Sequence, residues 1–172
     1  MRAHASSRAG GLIAKSILLL GVGAVALVGL FTVTGAMRKS QQCKGRLEQI
    51  HRALELYEIE RGTLPSLAFY PDDPREGLDS LRGALEHYGV DDETCICPGE
   101  ARTVREAGQT FLWNAALSGR KMPRGETPVW MLVEISALCA DVPSPHWGGY
   151  HALFTDGSIR TIRDPARELP GL

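Results

Sequence analysis

No surplus of basic charge marks this 172-residue chain: 19 Lys and Arg face 20 Asp and Glu, for a net charge of −1. Sixteen of those basic residues lie beyond residue 37 together with every acid, so the body is mildly acidic and lacks the electrostatic footprint of a nucleic-acid binder. Catalytic signatures are missing too. Gly10-Gly11 precedes an apolar run and not a strand-to-helix turn, which excludes a phosphate-cradling loop. Without a nucleophile elbow, Asp141, Ser144, His146 and Asp156 are only the ingredients of a hydrolytic triad. Asp72, Asp73, Asp91, Asp92 and Glu93 lack EF-hand spacing, which makes solvated loop acids the default and a Ca²⁺ site the lesser reading. We therefore expect no enzymatic activity. Repeats and low-complexity tracts are absent, and the length suits one domain with an accessory segment.

What is present begins with a gap in the charge. Between Lys15 and Arg38 lie 22 uncharged residues, SILLLGVGAVALVGLFTVTGAM. About 20 apolar residues at a rise of roughly 1.5 Å each cross a hydrocarbon core about 30 Å thick, so residues 16–37 are expected as a transmembrane helix. A cleaved signal peptide ending near Thr34-Gly35-Ala36 and a buried core helix are the competing readings. Basic residues crowd both ends, with Arg2, Arg8 and Lys15 on one side and Arg38, Lys39, Lys44 and Arg46 on the other, so charge bias alone does not orient the span.

Beyond it, Leu47, Ile50, Leu54 and Tyr57 recur at spacings of three and four, one face of an amphipathic helix over residues 38–62. No Gly-Pro break separates the two segments, which predicts one long rod ending at Gly62 and Pro65. The body, residues 63–165, opens with a Pro-rich loop, then a short helix over 79–88 closed by Gly89. Strands are predicted at 110–114, 129–135, 150–155 and 158–162, short and hairpin-linked, hence antiparallel and packed on the amphipathic helix. Residues 166–172 are expected as a tail. The fold class is therefore α+β.

The last two strands flank Asp156-Gly157, a strong hairpin signal; a two-residue turn pairs Phe154 with Ile159 and turns that face toward the helix. The intervening strand spans about 20 Å, so His146 and Asp156 belong at opposite ends of it, as structural marks and not as a proton-sharing pair. His146 then serves to orient the Gly148-Gly149 turn, and His151 is expected as a partly exposed sheet residue. Trp113, Trp130 and Trp147 are expected as core or sheet anchors.

Four cysteines favour an oxidising compartment, with Cys95 or Cys97 bridged to Cys139 and Cys43 left free. The competing reading is a zinc set of Cys95, Cys97, Cys139 and His146, weakened because Cys-x-Cys is not the usual knuckle spacing. No cofactor is expected on balance.

His146, nine intervening residues and Asp156-Gly157, with Gly148-Gly149 and ALFTDGSI, resemble the prepilin-type processing-associated His-x(9)-Asp-Gly (H-X9-DG) domain family. CKGRLEQIHRALELYEIERGTLP is similar to that family's membrane-proximal helix and to type II secretion pseudopilins; CICPGEA, FLWNAALSG and the Glu134 region are similar to its later blocks. The resemblance implies a pilin-like fold, a long N-terminal helix on a small antiparallel sheet. It also implies a single-pass protein of the bacterial inner membrane, with residues 1–15 cytoplasmic and the body outside. Such a protein is an anchored structural component linked to a type II secretion or type IV pilus-like system, whose partners are the lipid bilayer and other pilin-like subunits. The alternative is an anchored extracytoplasmic module that binds a ligand or cation. At Gly11 the resemblance stops: LIAKS follows, placing Ser16 where mature pilins carry Glu.

Overall fold

A computed structural model describes residues 7–139 and 142–172, with side chains from Thr32 onward. Helix α1 runs Ser7–Arg61. The chain divides into two units, residues 1–36 and Met37–Leu172. The second unit holds α2 (Leu81–Leu85), α3 (Arg102–Glu106), β1 (Phe111–Trp113), β2 (Trp130–Glu134), β3 (Tyr150–Phe154), β4 (Ile159–Ile162) and α4 (Pro165–Glu168). The four strands form one antiparallel sheet in the order β1-β2-β3-β4, so the α+β class holds.

The inner-membrane placement is corrected. Among the described residues no helix is long and apolar enough to cross a membrane. Residues 32–37 supply only about 9 Å of helix against a core of about 30 Å, and Arg38 and Lys39 follow directly. The side chains of residues 16–31, the rest of the expected span, lie outside the described residues, as do those around Gly11.

From Met37 the helix behaves as its periodicity predicts. Cys43, Leu47, Ile50 and Leu54 form one stripe, each without solvent exposure, against Phe111, Trp113, Leu132 and Leu153 of the sheet. Burial of each of these large aliphatic side chains stabilises the unit by roughly 1.5–3 kcal/mol. Gly62 ends the helix in the left-handed region, at φ 81°, its N–H donating to the Glu58 carbonyl at 2.7 Å. The predicted short helix forms as α2 and a following 3₁₀ turn, Glu86–Tyr88; Ser80 caps it by accepting from the Gly83 N–H, and Gly89 closes it.

A second apolar layer covers the other sheet face: Leu112, Trp130, Val133, Ala152, Phe154 and Ile162. From residues 166–172, the expected tail, Leu169 and Leu172 join this layer. Leu169 is buried, and the Trp130 indole N–H donates to the Pro170 carbonyl at 2.8 Å.

Two local irregularities decide which way side chains face. A register shift between Trp130 and Leu132 in β2 puts Trp130 and Val133 on the outer face while Leu132 turns toward α1. In the β3-β4 hairpin, Leu153 pairs with Ile159 and His151 with Thr161, one residue away from the expected register. The loop holds three residues, closed by Phe154 N–H to the Ser158 carbonyl at 3.0 Å, with Gly157 at φ 76°. A one-residue slip exchanges faces, so Leu153 and Ile159 pack toward α1 and Phe154 points away. His151, on the α1 side, is buried and not partly exposed.

Because among the described residues only glycines have positive φ, the turn rests on Gly157 and not on Asp156. Gly157→Ala is expected to cost about 1–2 kcal/mol in urea denaturation, and Asp156→Ala less than about 1. Equal costs at both positions would restore the two-residue turn.

Candidate functional site

Four side chains from four separate segments meet between α1 and the sheet. Cys43 comes from the buried stripe of α1, Cys97 from the loop before α3, Glu134 from the end of β2 and His146 from the turn leading into β3. Their ligating atoms all lie within 4.8 Å of one another, and none of the four residues is more than 4% exposed. Glu134 reaches this place because the β2 irregularity lets Trp130 point outward while the carboxylate points at α1.

Hydrogen bonds knit the group. Cys43 Sγ donates to Glu134 Oε1 at 2.9 Å. His146 Nε2 lies 2.7 Å from the same oxygen and 3.1 Å from Cys97 Sγ. Glu134 Oε2 accepts the His151 N–H at 2.9 Å, which fixes the carboxylate plane. Cys97 is held through its N–H to Thr110 Oγ1 at 2.6 Å, and its sulfur accepts the Gly99 N–H at 3.3 Å. The His146 ring stacks on His151, centroids 4.3 Å apart. His151 Nε2 lies 2.8 Å from Ser40 Oγ of α1.

Protonation follows these contacts. The hydrogen bond to Cys97, then burial, push the Cys43 thiol well up. That same bond holds Cys97 below the ordinary thiol range, helped by His146. Burial alone would raise Glu134, yet the bonds from His146, Cys43 and the His151 N–H outweigh it and keep the carboxyl low. Burial alone would lower His146, and its contacts with Cys97 and Glu134 instead raise it to about 9. His151, pushed down to about 4 chiefly by burial, stays neutral beside it. These shifts favour protonated Cys43 and His146 beside ionised Cys97 and Glu134.

The sequence-predicted site residues scatter. His146 and Asp156 do not meet: Asp156 sits at the exposed hairpin tip, accepting from Ser158 N–H at 3.0 Å and pairing with Arg160. Gly157 packs at the same tip toward His51 of α1. His146 closes its turn through its backbone carbonyl, which accepts the Gly149 N–H at 3.3 Å, while the ring turns inward. Gly148 adopts φ 97°, and a Cβ on Gly149 would lie 2.0 Å from the Ile162 carbonyl oxygen, so neither is a free choice of residue.

The expected bridge is not formed. Cys43, Cys95, Cys97 and Cys139 are all free, with Cys95 and Cys97 buried and Cys139 exposed. Of the zinc set considered from sequence, Cys97 and His146 are in the cluster, whereas Cys95 and Cys139 are not. The other candidates dissolve as well. Ser144 Oγ donates to the His146 carbonyl and not to its ring; Asp141 lies outside the described residues. Loop acids are spent locally, Asp73 and Asp91 on nearby N–H groups and Asp92 and Glu93 on Arg82 and Arg46. Trp147 is not an anchor but 84% exposed.

Sequence reasoning missed Cys43 and Glu134. A signal existed for both: Cys43 continues the Leu47, Ile50 and Leu54 stripe, and Glu134 closes an apolar strand, WMLVE. No family model matches the chain, and neither a curated protein nor a solved structure matches it.

Removing one partner from a buried charge pair costs about 3–5 kcal/mol, whereas a half-exposed hydroxyl costs far less. His146→Ala is therefore expected to lower stability by about 3 kcal/mol or more, and Ser144→Ala by under about 1. Similar small losses for both, read by urea denaturation of the reduced protein, would mean that His146 supports no buried pair.

Proposed function

We propose that the chain is a non-enzymatic, pilin-like structural subunit that works by contact with other subunits of a type II secretion or type IV pilus-like assembly. The observation that carries this reading is the amphipathic part of α1 lying on a four-stranded antiparallel sheet through the stripe Cys43, Leu47, Ile50 and Leu54. The resemblance of the His146 to Gly157 stretch to the His-x(9)-Asp-Gly family supports it. Stereochemistry supports it too, because Gly148, Gly149 and Gly157 serve turns, and a motif used for turns has no need of a substrate.

The outer side of α1 provides the means of contact. Leu56 and Ile59 are 52% and 76% exposed, apolar, and away from the sheet-facing stripe. Subunits that assemble through their helices bury such positions against a neighbour. Nucleic acid has no part in this reading, since the body carries more acid than base.

A second reading, a cation-binding module, is favoured by one observation, the convergence of Cys43, Cys97, Glu134 and His146.

A photo-crosslinking residue placed at Ile59 in the full chain, irradiated in the native cells, is expected to give covalent multimers of the chain or adducts with other pilin-like subunits. Monomer alone at both Ile59 and Leu56 would count against assembly through the helix.

A further inference from the structure

We propose that Cys43, Cys97, Glu134 and His146 form a mononuclear binding site for a zinc-class divalent ion, which clamps helix α1 to the sheet and to two loops. The site stands on its own geometry and does not depend on the pilin-like reading.

The donor set is the first argument. Two sulfurs, one imidazole nitrogen and one carboxylate oxygen make four ligands of the kinds that bind Zn²⁺, and four protein ligands complete a tetrahedron. No coordination position is left for a substrate water, so the site is structural and not hydrolytic. Sulfur and imidazole also argue against Ca²⁺ and Mg²⁺, which take oxygen.

Preorganisation is the second. Three of the four ligands are already aimed by something other than the cluster, and Cys43 is carried by the buried stripe of α1. Glu134 has one oxygen occupied by the His151 N–H and the other turned to the centre. Cys97 is tied by Thr110 through its N–H, and its sulfur takes the Gly99 N–H, a contact that stabilises a thiolate. The ring of His146 is fixed between the stacked His151 and the turn closed at Gly149, with Nε2 directed to the centre. Its Nδ1 is buried with no hydrogen-bond partner among the described residues, and the stacked His151 ring helps to orient it.

Distances are the third. Tetrahedral ligands about 2.0–2.3 Å from an ion lie roughly 3.3–3.8 Å apart. Of the six ligand pairs, the three in contact at 2.7, 2.9 and 3.1 Å need to open by about half an ångström, and the others, all within 4.8 Å, to close by about 1 Å, within the freedom of side-chain torsions.

The third and fourth cysteines provide an internal control. Cys95 is buried outside the cluster and Cys139 is exposed, so a site built on thiols in general would differ from this one in which residues matter.

The test is a titration of the full-length chain, reduced with a phosphine under anaerobic conditions, with Co²⁺ and then Zn²⁺. One equivalent of Co²⁺ is expected to give intense visible bands of a tetrahedral ion with sulfur-to-cobalt charge transfer in the near ultraviolet, abolished by one equivalent of Zn²⁺. Elemental analysis after dialysis against Zn²⁺ should return one zinc per chain. Cys139→Ser should leave both readings intact, whereas Cys43→Ser and His146→Ala should weaken binding about tenfold or more. Because a ligand variant can fail to fold, the unmodified chain carries the decisive reading: weak, octahedral-type cobalt bands or no binding by the reduced, folded protein overturn the site. So does a Cys43–Cys97 disulfide found by mass mapping in protein from native cells, or unchanged affinity in both ligand variants. Zinc binding by a chain that cross-links through neither Ile59 nor Leu56 would keep the site and remove the assembly reading.

Discussion

Glu134 is a carboxylate with no exposure to solvent at the end of a central strand, and every other feature of the interior has to accommodate it. A buried carboxylate costs several kcal/mol unless its lone pairs are met, so its three donors are obligatory. They come from α1 through Cys43, from the turn before β3 through His146, and from the β3 backbone through His151. One side chain thereby fixes the helix, the turn and the strand relative to β2. Apolar contacts between α1 and the sheet supply more free energy, yet they tolerate sliding. The carboxylate does not, because a shift of one residue in either element leaves it without a partner.

That requirement explains the irregularity of β2. In an unbroken strand, Trp130, Leu132 and Glu134 share one face by the two-residue period, and Trp130 would occupy the space of the helix. The register shift between Trp130 and Leu132 releases Trp130 to the outer layer, where its indole N–H meets the Pro170 carbonyl. The C-terminal residues then gain a role, as the cover over Trp130 and Ile162. Local departures from ideal pairing here follow from the need to bury an acid and a tryptophan on opposite faces.

How far the sequence disclosed this depends on the length scale of each determinant. The stripe Leu47, Ile50 and Leu54, the four strands and the stop at Gly62 are set by neighbours within a few residues, and all are legible. The hairpin register was not, since Asp-Gly suits a two-residue loop and a three-residue loop alike. The choice between them lies in whether Asp156 or only Gly157 takes positive φ. Even less legible was the cluster, because residues 43, 97, 134 and 146 share no local spacing and are joined only by the fold. The pairing of Cys95 or Cys97 with Cys139 followed from counting thiols; the structure instead places Cys97 beside His146 and Cys43 of α1.

The nine-residue interval between His146 and Asp156 now has a physical meaning. It is the length of one turn plus one strand plus the first half of a second turn, so its two ends are fixed by independent constraints: the ring of His146 by Glu134, and the position of Asp156 by the hairpin against His51. The ends need not communicate for the spacing to be strict. An ion bound at the His146 end would cross-link α1, the loop before α3, β2 and the turn before β3, an arrangement that Glu134 already dictates.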